Sequence, residues 1–68
     1  MEEVTVTKLQ LDVVNAYMEG QSMKEIALAV GVSYSRVINI FNAILIKARC
    51  ATKKELLLKA KDIKWVLK

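Results

Sequence analysis

The side chains best suited to recognition chemistry lie between residues 33 and 47. Val37, Ile40, Phe41 and Ile44 recur there at helical spacing, which predicts a helix with those four on a core and Tyr34, Ser35, Ile38, Asn39, Asn42 and Leu45 or Ile46 turned outward. An asparagine can form two hydrogen bonds with adenine N6 and N7, and an isoleucine can touch the methyl group of thymine. Ile38, Asn39 and Asn42 on one outer face therefore favour A·T pairs in a DNA major groove. Arg36 suits a phosphate or a guanine, and Lys24, Tyr34, Ser35 and Lys47 suit phosphate. For Tyr34 and Ser35 the competing role is helix capping and solvation. The same face has an apolar side made by Ile38, Leu45 and Ile46, and Arg36 is the one charge in its first three turns. Sparse charge and an apolar edge suit a protein partner as an alternative to DNA.

Catalytic chemistry finds little support. The chain has no histidine, no acid cluster, no glycine-rich phosphate loop and no Ser or Cys with a base at an inferable spacing, so neither an enzyme nor a metal or cofactor site is expected. Cys50 is the single cysteine and can form no internal disulfide. Beside Arg49 it could act as a redox switch if its thiol were acidified, or be simply a partly buried small apolar residue.

The elements that would position the recognition helix are legible from their ends. Ser22 and Glu25 form a capping box, in which a hydroxyl accepts a free helix N–H and the carboxylate reaches back to the cap's own N–H. A helix should start there, bury Ile26, Ala27 and Val30, and stop at Gly31, where the chain turns with positive φ. Val32 plugs the turn and Ser33 caps the recognition helix, giving a helix-turn-helix over about 22–48. Thr7 and Gln10 form another box ahead of a first helix over about 8–19, with Leu9, Val13, Ala16 and Tyr17 on one line and Leu11, Val14 and Met18 beside it. Thr52 and Glu55 form a third, opening a last helix over about 53–66 with Leu56, Ala60, Ile63 and Leu67 on its core line. Residues 1–6 read as an extended lead-in without a strand partner. The expectation is one all-α domain of four helices spanning residues 1–68.

Charge is uneven along the chain. Residues 1–31 hold two lysines against five acids, net −3, whereas residues 32–68 hold nine basic residues against two acids, net +7. A polyanion fits that second half, and a solvated lysine-rich surface is the plainer alternative. With 68 residues the core is small, so pairing of two copies is expected. Leu58 and Trp65, seven apart on the expected last helix with Lys61 between them, form the candidate dimer surface. No apolar run approaches the ~18 residues of a membrane span. Two acids near the start do not fit a signal peptide, so a cytoplasmic location without membrane contact is the default expectation.

Over roughly Val6 to Ala60 the chain resembles the LuxR/GerE-type helix-turn-helix domain. The resemblance rests on Val6-Thr7, Gln10, Asp12, Val13 and Val14, on the run Glu19-Gly20-Gln21-Ser22-Met23-Lys24-Glu25-Ile26-Ala27, and on Val30-Gly31-Val32-Ser33, Val37 and Ile44. The run from Gly20 to Ala27 is its most specific part. There are departures. Arg36-Val37-Ile38 stands where the family usually has Thr-Val-Lys, and Ile40 replaces a frequent histidine. Ile46-Lys47-Ala48-Arg49-Cys50 replaces Lys-Lys-Leu-Gly-Val, and Lys53 stands for an arginine. The resemblance implies a divergent, free-standing, dimeric regulator of transcription. It further implies that the third helix enters the major groove of double-stranded DNA and that the fourth supplies a dimer contact. Met1 and the compact layout suggest a whole protein.

Overall fold

A computed structural model describes residues 2–68. In chain order it contains a strand β1 (Glu2–Val6) and helices α1 (Lys8–Met18), α2 (Met23–Val30), α3 (Tyr34–Ala48) and α4 (Lys53–Lys59). A 3-10 turn (Ala60–Asp62) and a strand β2 (Ile63–Leu67) follow. The helix starts are built as their end residues demand. Thr7 and Ser22 each accept the N–H of the residue three ahead, while Gln10 and Glu25 return a side-chain oxygen to the cap N–H, at 3.0 and 2.8 Å. At α4 the exchange is incomplete: Thr52 Oγ1 accepts from Glu55 N–H, but the Glu55 carboxylate accepts from Ala51 instead of Thr52.

The all-α expectation is incorrect, because the two ends of the chain form a two-stranded parallel sheet and the fold is α+β. Glu2 registers with Ile63, Val4 with Trp65 and Val6 with Leu67. Residues 2–6 are thus a strand with a partner, and the last helix stops at Lys59 instead of running to about 66. The physical reason lies in the alternation of the two ends. Val4 and Val6 are buried while Glu3 and Thr5 are exposed, and Ile63 and Trp65 turn inward while Lys64 points out. As a strand, residues 63–67 also satisfy the backbone groups of β1, which would otherwise lie against the core without partners. On the outer face Lys64 sits 3.9 Å from Glu3.

The core lies between the sheet and the helices. It contains Val4 and Val6 from β1, Val13 and Val14 from α1, Ile26 and Ala27 from α2, Val37, Ile40, Phe41 and Ile44 from α3, and Leu56 and Ile63 beyond. Tyr17 meets Phe41 edge-on, ring centroids 5.0 Å apart at 80°, a geometry that sets a positive ring edge against a negative face. Among the described residues no single helix is long and apolar enough to cross a membrane.

Candidate nucleic-acid interface

The axes of α2 and α3 differ by 102°, within the range of helix-turn-helix pairs. Three residues make the corner. Gly31 takes φ 75° and ψ 34°, and its N–H and that of Val32 both donate to Ala27 C=O at 3.0 Å. This left-handed stop satisfies the α2 carbonyl end without extending the helix. Ser33 then caps α3, its hydroxyl accepting Arg36 N–H at 3.1 Å. Val32 is half-buried in the corner against the core.

Along α3 the division into faces follows the hydrophobic spacing. Val37, Ile40, Phe41, Ile44 and Ala48 are buried, while Tyr34, Ser35, Arg36, Ile38, Asn39 and Asn42 are all exposed. Ser35, Asn39, Asn42 and Ile46 fall at intervals of four, three and four, which places them on one stripe. None of these four side chains has a hydrogen-bond partner within the described residues. The open alternative between Leu45 and Ile46 resolves to Ile46, which is 78% exposed, whereas Leu45 is half-buried on the core. Lys24 is exposed on the first turn of α2.

Lys47 differs from the other phosphate candidates. Its ammonium donates to Thr5 C=O at 3.1 Å and to Gln10 Oε1 at 3.2 Å, so it ties α3 to β1 and to the α1 cap. One of its three N–H donors is left for an outside acceptor.

The expected dimer ridge is not assembled. Leu58 is on α4, Lys61 in the 3-10 turn and Trp65 on β2, so the helical seven-residue spacing between Leu58 and Trp65 does not apply. Leu58 and Lys61 are exposed and line a shallow depression with Met18 and Leu57. Trp65 packs half-buried against the core.

Cys50 is buried, with its thiol 3.6 Å from Ala48 C=O. Burial pushes its pKa up, against a smaller downward pull from Lys59, so the acidified thiol that a redox switch requires is absent. Leu28, 86% exposed on α2, is an apolar surface residue that no motif marked. Its signal is its position, one step past the buried Ile26–Ala27 pair on an eight-residue amphipathic helix. Among the described residues no group of three or more Cys, Asp or Glu side chains could hold a metal ion. Comparisons with protein-family models, curated proteins and solved structures give no match to this chain.

Proposed function

We propose that this chain is a DNA-binding regulator of transcription that acts in the cytoplasm as a homodimer and reads the major groove with the outer face of α3. The observation that carries this reading is the exposed stripe of Ser35, Asn39 and Asn42 on a helix set at 102° to the one before it. Two unpartnered carboxamides, three residues apart, suit adenine edges, with Ile38 beside them for thymine methyl groups. Arg36 and Lys24 supply phosphate contacts, and the +7 balance of residues 32–68 supplies long-range attraction to the duplex. The LuxR/GerE resemblance of the helix-turn-helix agrees with this use of α3, although the terminal strands set the whole fold apart from the four-helix domain that the resemblance implies.

A second reading is favoured by the apolar side chains on the outer side of α3, Ile38 and Ile46, which are 36% and 78% exposed. On this reading the same surface binds another regulator's apolar helix and the chain is an antagonist or co-regulator. Selection of bound duplexes from a random pool, run beside a pull-down for protein partners, separates the two. An enriched A·T-containing motif supports DNA reading; a stoichiometric regulator partner with no enriched motif supports the second.

A further inference from the structure

The strand β2 has one edge paired with β1 and one edge open. Lys68 N–H donates to Val6 C=O at 2.9 Å. Because backbone groups alternate sides along a strand, Lys64 and Val66 also turn theirs to β1, whereas Ile63, Trp65 and Leu67 turn theirs outward. Ile63 N–H is taken by Ala60 C=O in the preceding 3-10 turn. This leaves Ile63 C=O and both backbone groups of Trp65 and Leu67 without a partner among the described residues. The outer edge of β1 is different, since the Lys47 ammonium sits on Thr5 C=O there. The β2 edge also lacks the usual protections: it contains no proline, and its lysine, Lys64, is drawn toward Glu3.

We propose that β2 is the homodimer interface, pairing antiparallel with β2 of a second copy about a two-fold axis at Trp65. This inference rests on the homodimer of the function proposed above and names its surface. In that register Trp65 faces Trp65 and exchanges two backbone hydrogen bonds, and each Leu67 N–H meets the Ile63 C=O of the other copy. The free backbone groups of Ile63 and Trp65 and the Leu67 N–H are thereby used. Leu67, 56% exposed, comes to lie over Ile63 of the second copy, extending the apolar face of the sheet across the axis. Charge selects the same register. It puts Asp62 opposite Lys68 and Lys64 opposite Val66, whereas a one-step slip brings Lys64 against Lys64 or against Lys68. The result is a four-stranded sheet, β1-β2-β2-β1, with one helix-turn-helix on each side of a two-fold axis.

Sedimentation of the full chain without DNA, at concentrations up to about 1 mM, tests the interface independently of DNA binding. The expected species is a dimer of the 7.7 kDa chain. Leu67→Pro removes an N–H that is unused within one copy and places a ring on the edge, so it should give a monomer with unchanged helical circular dichroism. Lys68→Asp should weaken the dimer tenfold or more by setting Asp62 against an aspartate, and the double swap with Asp62→Lys should restore it. Leu58→Asp, on the α4 surface, should leave the dimer intact. A wild-type chain that stays monomeric throughout, a dimer lost on Leu58→Asp, or a dimer indifferent to both Leu67→Pro and Lys68→Asp overturns the proposal. Since DNA is absent, a failure here is distinguishable from a failure of DNA recognition.

Discussion

The Lys59 ammonium lies 2.9 Å from the carbonyl of Ala48 and so closes the last turn of α3 with a side chain from α4. The same group is 3.1 Å from the Glu2 carboxylate on β1. One lysine therefore holds together α3, α4 and the strand pair. It also satisfies a carbonyl at the negative end of α3, where a cation is favoured.

Lys59→Met should keep the aliphatic packing while removing both contacts. With the side chain 35% exposed, the loss is expected to be about 1 kcal/mol after allowance for solvent screening, read as a lower urea midpoint at unchanged slope. A midpoint equal to that of the wild type would count against a structural role for this ammonium.

Arg49 ends α3 in the left-handed conformation, with φ 57° and ψ 41°. In the LuxR/GerE resemblance a glycine stands at this position. A side chain there is strained by roughly 1–2 kcal/mol, and Arg49 is exposed, so little packing is lost on removing it. Arg49→Gly is expected to raise the melting temperature modestly, with the greater freedom of glycine in the unfolded chain offsetting part of the gain.

Ser22→Ala should remove the α2 cap and cost about 1 kcal/mol in denaturant unfolding. Its partner Glu25 carries a pH signature. The hydrogen bond from the Ser22 backbone N–H, with a further one from the Ser22 hydroxyl, holds the Glu25 carboxyl below its ordinary 4.5. Its ionised form is therefore favoured by folding. The contribution is fully present above about pH 4.5 and fades as pH falls through the lower folded value. Glu25→Gln should flatten the acid side of the stability–pH curve by lowering its neutral plateau, with little change at the acid end, where the wild-type carboxyl is also uncharged.

Cys50 should react slowly in the native protein. Burial holds its thiol above the ordinary 9.0, so at pH 8 alkylation by iodoacetamide is expected to be much slower than in the urea-unfolded chain. Equal rates in the two states would contradict the buried placement.

How much of this was legible in the sequence depends on the range over which each feature is specified. Caps and corners are local: Thr7 with Gln10, Ser22 with Glu25, Gly31 and Ser33 act where they stand, and the boundaries of α2 and α3 match those residues. The faces of α3 follow from spacing within one helix, which is why Asn39 and Asn42 are exposed and Phe41 is buried as their positions imply. The strand pair is of another kind. Its register joins residues about sixty apart, Val4 with Trp65, and no turn signal links them. Leu56, Ala60, Ile63 and Leu67 fit a helical repeat as well as Ile63, Trp65 and Leu67 fit an alternating one, and no glycine or proline marks the break at Ala60–Asp62. The helical ridge of Leu58 and Trp65 fails for the same reason, because it was drawn on a helix that residues 63–67 do not form.

The central claim is that the outer face of α3 reads base edges, and the measurement that tests it most directly is a salt-dependent duplex titration of the wild type, Asn39→Ala and Arg36→Ala. Against its selected site the wild type should bind with a steep salt dependence. Asn39→Ala should lose about tenfold or more in specific affinity while its non-specific binding stays the same. Arg36→Ala should weaken both kinds of binding and lower the salt slope by about one. Absence of binding to any duplex at low salt, or equal losses on specific and non-specific DNA for Asn39→Ala, would contradict the account.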